Sequence, residues 1–214
     1  MPHEFDSAAF ITHVERLLGE IPQGGRRVIA IAGAPASGKS TTAARLIDHL
    51  NEVEPGSTAL LPMDGYHFDD EMLGPRGWRP RKGAPHTFDV GGYASALRRI
   101  RTNDEPFVAV PRFDRDLEIA RAGAIIIEPS VRLIVSEGNW LLLQDEPWPM
   151  LLPLFDHSAL VKTEWETLER RNRDRWVGYD FTEEMIREKL EGNDLPNARL
   201  VYERSAEPDW IIYT

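Results

Sequence analysis

Apolar residues first recur at helical spacing: Phe10, Val14, Leu17, Leu18 and Ile21 fall on one face of a helix over residues 5–21, which Pro22 and Gly24-Gly25 end. The pattern then changes to RVIAIAGA (27–34), an apolar, β-branched run of strand length, and back to helical spacing over GKSTTAARLIDHLN (38–51). Buried strands are predicted over 58–64 (TALLPMD), 132–137, 157–163 and 209–214. Helices are predicted over 90–101, opened by Asp89, over 164–177, opened by Thr163 with Glu166 in a capping-box arrangement, and over 182–191. Near-continuous apolar strands alternating with helices specify an α/β fold with a mostly parallel sheet covered on both faces. A length of 214 residues suits one domain, 1–214. The stretch 65–89 is rich in Gly, Pro and Arg and too long for a plain connection, which marks it as a functional loop.

With 42% hydrophobic and 28% charged residues, the chain falls in the globular class and outside the disordered and fibrous ones. It has no cysteine, so disulfides, thiolate metal sites and cysteine nucleophiles are excluded; the expected setting is the cytoplasm. Acidic residues stand near the start where a signal peptide needs positive charge, and no 18-residue apolar run follows, so no membrane partner is expected. A net charge of −10 argues against nucleic acid as a partner, because that binding rests on Lys and Arg displacing counterions. Anionic ligands must then meet local basic clusters. Oligomeric state is not legible in these features.

One such cluster has a specific form. Gly33-Ala34-Pro35-Ala36-Ser37-Gly38-Lys39-Ser40 satisfies G-x-x-x-x-G-K-[ST] between a predicted strand and a predicted helix. With Thr41, these residues are expected to cradle a nucleoside triphosphate: backbone N–H groups and the helix dipole face the phosphates, Lys39 reaches the β- and γ-phosphates, and Ser40 offers its hydroxyl to Mg²⁺. Asp64 ends the next strand at the carboxyl edge of the sheet, beside the γ-phosphate, where it can serve as a base. The plainer reading is a turn aspartate before Gly65. Glu137 ends another apolar strand, where many P-loop proteins place the acid that holds the metal's water shell; alternatively it begins a turn before Gly138.

Residues 168–176, LERRNRDRW, place four arginines on one helix. Glu166–Arg170, Glu169–Arg173 and Arg170–Asp174 stand four apart and are expected to pair. Arg171 and Arg175 share a face without an acid at that spacing and repel unless an anion lies between them, a place a triphosphate would fill.

The cradle, the segment MDGYHF (63–68), the loop RKGAPHTFD (81–89) and the strand end VSEGNW (135–140) together resemble the uridine kinase, pantothenate kinase and phosphoribulokinase group. The resemblance runs through most of the chain. It is nearest to a short bacterial branch named as fructose-transport-associated kinases, in part through Asn193-Asp194-Leu195-Pro196-Asn197.

What the resemblance implies is a P-loop nucleoside triphosphate hydrolase fold with a helical lid near 165–180, and a kinase using ATP and Mg²⁺ to phosphorylate a small molecule's hydroxyl. It implies that Asp64 is the catalytic aspartate, that Lys39, Arg171 and Arg175 stabilise the transferring group, and that Ser40 and Glu137 hold the metal. The acceptor would meet Tyr66, His67, Arg81, His86, Phe88 and Asp89, with Glu137 nearby; the segment Arg112-Phe113-Asp114-Arg115 resembles one that contacts the acceptor and reads alternatively as a solvated hairpin tip. A sugar such as fructose is the first acceptor expected, pantothenate the second and a nucleoside the third. Arg76, Arg79, Arg81 and Lys82 are compatible with an anionic acceptor, with ATP or with solvent. The competing reading is an ATP-hydrolysing regulatory or assembly protein with a vestigial acceptor pocket, which the retained Asp64 opposes. A GTPase is disfavoured by the lack of an N/T-K-x-D segment.

Overall fold

A computed structural model describes residues 1–214. Asp6 begins helix α1 (Ser7–Glu20) by accepting the Ala9 N–H at 2.8 Å. Before it lies strand β1 (His3–Asp6), whose sequence HEFD carries no apolar alternation and reads as a simple lead-in. Then follow β2 (Arg27–Gly33), α2 (Lys39–Val53) and β3 (Thr58–Pro62). The third strand stops two residues earlier than its apolar run predicts, because Met63–Tyr66 coil into a 3₁₀ turn.

The stretch 65–89 is not an open loop. It holds α3 (Asp70–Leu73) and 3₁₀ turns at Arg79–Arg81 and Pro85–Thr87, and leads into α4 (Val90–Thr102). A hairpin of β4 (Val108–Asp114) and β5 (Ile119–Ile127), whose tip begins at the segment 112–115, forms its own antiparallel ribbon. The chain continues through β6 (Leu133–Gly138), β7 (His157–Lys162), α5 (Trp165–Val177) and α6 (Glu183–Lys189). A π-helical turn, Leu190–Asp194, runs directly into α7 (Leu195–Arg204), and β8 (Trp210–Tyr213) closes the fold.

Six strands form one sheet in the order β1-β8-β7-β2-β6-β3, every pair parallel. From β2 the chain crosses to the β3 edge, returns to β6 beside β2, and then passes to β7 on the other side. The carboxyl ends of β2, β3 and β6 therefore border a topological switch, where open α/β sheets bind ligands. Alternation along β2 explains its continuous apolar run. Val28, Ala30 and Ala32 pack with α4, α5 and α7, whereas Ile29 and Ile31 pack with α1 and α2. No helix is long and apolar enough to cross a membrane.

Two local features hold the fold together. Arg26, nearly buried, donates to the carbonyls of Ile100, Glu128 and Val131, each at 2.7 Å, and so fastens the end of α4 to the segment before β6. The hairpin presses on the turn after β3 so closely that the Pro111 carbonyl oxygen lies 2.5 Å from where a Cβ on residue 65 would sit, which only glycine permits.

Candidate active site

Carbonyls fix the loop after β2 from behind. The Ser37 carbonyl accepts from the hydroxyls of Thr163 (3.1 Å) and Thr214 (2.7 Å), and the Pro35 carbonyl accepts from the buried Asn172 side chain (3.1 Å). Thr163 is thereby engaged with the loop, and the capping box expected at α5 does not form: the cap position is Glu164, with no side-chain bond. Gly38 (φ 91°) and Ala36 (φ 62°) adopt the left-handed conformation that turns the chain into α2. The first helical bond of α2 runs from the Thr42 N–H to the Gly38 carbonyl, which leaves the earlier amides of the helix available to an anion.

Lys39 Nζ lies 3.8 Å from Glu137 Oε1 and 3.5 Å from the Ala34 carbonyl, and the Ser40 hydroxyl donates to Glu137 Oε1 at 3.2 Å. Register explains the meeting, since Glu137 stands beside Ile31 in the sheet, just before the loop. Burial pushes the Lys39 ammonium below its ordinary range and the Glu137 carboxyl above its own, although each partner opposes the other's shift. Ser40 and Glu137 fit a magnesium site: they supply oxygen at the mouth of a phosphate-sized loop. No cluster of three metal-ligating side chains exists, so most ligands would be phosphate oxygens and water.

Two cavities of about 600 and 610 Å³ open at this edge of the sheet. The first runs over Ala36, Gly38, Ser40 and Thr41 and is ringed by Arg45 and Arg171. The second holds Asp64, His67, Phe88, Phe113 and Asn139. Lys39, Arg115, Arg175 and Tyr179 line both. An anion in the first cavity and a molecule in the second would face each other across three cations.

Asp64 sits at this junction and accepts Arg115 Nη2 at 2.7 Å. His67 Nδ1 approaches the Asp64 carbonyl at 2.7 Å, and burial holds the His67 imidazole below its ordinary range. Asn139 lines this cavity, and its buried Oδ1 has no partner in the protein.

The remaining expected residues divide. Gly33 and Ala34 begin the phosphate loop, Pro35 reaches the second cavity, and Ser37 is buried behind the loop. Tyr66 packs edge-on against Tyr93, with burial raising its phenol, and lines neither of these cavities. Arg81 donates to Asn197 Oδ1 at 3.1 Å, and the exposed His86 packs against Trp78. Asp89 is committed to α4, accepting the Gly92 N–H at 2.8 Å. Arg112 and Asp114 lie outside both cavities, with Asp114 paired to Arg121 at 3.0 Å. Residues 112 and 114 share one face of β4, the opposite face carries Phe113 to the second cavity, and Arg115 reaches the site from the hairpin turn just after the strand. Lys82, Arg79 and Asp70 also line the second cavity, both cations bonding Asp70 at 2.8 Å.

On α5 none of the three expected four-apart pairs forms. Arg173 instead pairs with Glu183 at 2.6 Å, and Arg175 with Asp194 at 2.9 Å. Arg175 has no acid at helical spacing, as expected, but finds a partner on another element. Arg171 makes only long contacts, at 3.4–3.5 Å, with the hydroxyls of Thr214 and Thr163.

No family model matches the chain. It is 33% identical over 195 residues to a "putative uridine kinase" of Schizosaccharomyces pombe, covering 87% of this chain and 83% of that protein. It is 34% identical over 145 residues to a pantothenate kinase of Shouchella clausii, covering 64% of this chain and 45% of that one. The crystal structure of a "putative fructose transport system kinase" from Silicibacter sp. TM1040 superimposes with a TM-score of 0.86, at 35% identity, over 97% of this chain and 98% of that one.

Proposed function

Because the chain belongs to the P-loop small-molecule kinases grouped with uridine kinase and pantothenate kinase, we propose that it transfers the γ-phosphoryl of ATP to a hydroxyl of a sugar-like acceptor bound in the second cavity. The observation that carries this reading is the junction: Asp64 stands in the second cavity where Lys39, Arg115 and Arg175 line both.

In this reading the nucleotide's phosphates occupy the first cavity. Ser40 and Glu137 are the side chains that would hold Mg²⁺, which would offset the negative charge of the phosphates. Asp64 orients the acceptor hydroxyl and takes its proton as the oxygen bonds to the γ-phosphorus and the bridging oxygen leaves with ADP. Lys39, Arg115, Arg171 and Arg175 stabilise the charge on the transferring group. Residues 65–89 form the acceptor side of the site and 165–180 its lid.

A sugar-like acceptor is favoured over pantothenate and a nucleoside by the likeness to the Silicibacter structure and by the lining. Asp64 offers a hydrogen-bonding carboxylate, and Phe88 and Phe113 add apolar lining. The test is ADP release measured with a panel of sugars, pantothenate and nucleosides. A sugar should raise turnover sharply above the rate with ATP alone. Equal rates with every compound would favour the ATP-hydrolysing regulator instead.

A further inference from the structure

Resting on the kinase reading above, we propose that the turn Asn193–Asn197 couples the acceptor side of the site to the lid, with Asp194 as the positioning residue for Arg175. Asp194 is 4% exposed; with Asn193 and Asn197 it lines the second cavity, and it belongs to neither the phosphate loop nor a strand. Its two oxygens are divided between adjacent residues of α5: Oδ1 accepts Arg175 Nη2 at 2.9 Å and Oδ2 accepts Trp176 Nε1 at 2.6 Å. A buried carboxylate bonded in this way fixes both the rotation of α5 and the reach of its arginine. Arg175 also lies over the Trp176 ring, 4.8 Å from its centroid, and so is held from two directions at the junction of the cavities.

The neighbours of Asp194 hold the other side. Asn193 Nδ2 donates to the Lys82 carbonyl at 3.1 Å and to nothing on α5. Asn197 accepts Arg81 Nη2 on its Oδ1 and donates to Asn193 Oδ1, both at 3.1 Å. The π-helical turn brings these side chains together, because its wider winding changes the face on which successive residues emerge; such turns concentrate at functional sites. Thus one segment grips residues 81–82, whose Lys82 side chain lines the acceptor cavity, and residues 175–176, which line it too. Whatever shifts the 79–89 segment on acceptor binding is transmitted to Arg175 through two rigid side-chain links, with no contact between Arg175 and the acceptor required.

The test uses the full chain with Mg²⁺–ATP and the best acceptor from the panel. Asp194→Asn keeps the shape and removes the charge that orients Arg175. It should lower kcat by about 10- to 100-fold through misplacement of that arginine, with the affinity for Mg²⁺–ATP changed less than about threefold. In the Arg175→Ala background the same substitution should cost almost nothing more, since residues acting through one another are not additive. Losses that multiply, or a kcat left intact by Asp194→Asn, overturn the positioning role. A second readout needs no acceptor. Asn193→Ala should raise amide hydrogen exchange both in 79–89 and in 170–177, whereas a rise confined to 190–197 overturns the coupling. If no compound raises wild-type turnover, the kinase reading fails by itself, and hydrogen exchange still decides whether the turn links the two segments.

Discussion

Replacing Asp64 by asparagine removes one basic oxygen while preserving volume and hydrogen-bonding capacity. The side chain already accepts Arg115 at 2.7 Å, so the first quantity to settle is whether that ion pair blocks a base. The Arg115 side chain is 61% exposed and the Asp64 side chain 30%, which places the pair near the surface, where such contacts contribute about 0.2–1 kcal/mol. Opening it therefore costs at most roughly fivefold in population. General-base assistance contributes ~10²–10⁴-fold, so the base term dominates and Arg115 can move toward the phosphates without disabling Asp64. Asp64→Asn should lower kcat by ~10²–10⁴-fold at saturating acceptor. A coupled ADP assay gives kcat, and calorimetric titration gives the Mg²⁺–ATP affinity, which should hold. Retention of more than about a tenth of wild-type turnover would refute the base assignment, and a parallel collapse of nucleotide affinity would make Asp64 a metal ligand instead.

Two further predictions concern the scaffold. Arg26→Met strips the donors from three carbonyls and should lower stability by about 3 kcal/mol, read as a shift in the urea midpoint at constant slope; a loss below about 1 kcal/mol contradicts the clamp. His13 packs edge-on against Trp210, and burial first, then the nearby His157 and His3, hold its imidazole below the ordinary value of 6.5. Because the folded protein resists protonating it, this contribution is present above about pH 6.5 and fades as pH falls below that value; His13→Gln should flatten the acid side of a stability profile, and an unchanged profile would remove His13 from the account.

Local grammar explains what the sequence made legible. The phosphate loop announces itself because glycine spacing, a preceding apolar strand and a following helix all concern neighbouring residues. The same holds for Asp64 and Glu137, each at the end of a buried run. Contacts that close over long separations left little trace. Asp194 meets Arg175 from 19 residues away, so helical spacing on α5 cannot reveal it. The expected surface pairs, each worth a few tenths of a kcal/mol, yield to tertiary partners such as Glu183. The segment 112–115 was legible as a candidate acceptor contact, but RFDR alone does not tell which of its residues face the site; the strand turns Phe113 inward and the hairpin turn after it brings Arg115. Strand β1 escaped because four mostly polar residues at a sheet edge need only backbone pairing with β8.

The most direct test of phosphoryl transfer is ADP formation with and without a sugar acceptor, followed by identification of the phosphorylated product by mass spectrometry. Wild-type protein with Mg²⁺–ATP should form ADP and a product 80 Da heavier than the acceptor in equal amounts, and Lys39→Ala should form neither, since no other loop residue brings a cation to the β- and γ-phosphates. ADP formation that proceeds at the same rate without acceptor and yields no phosphorylated compound from any member of the panel would contradict it.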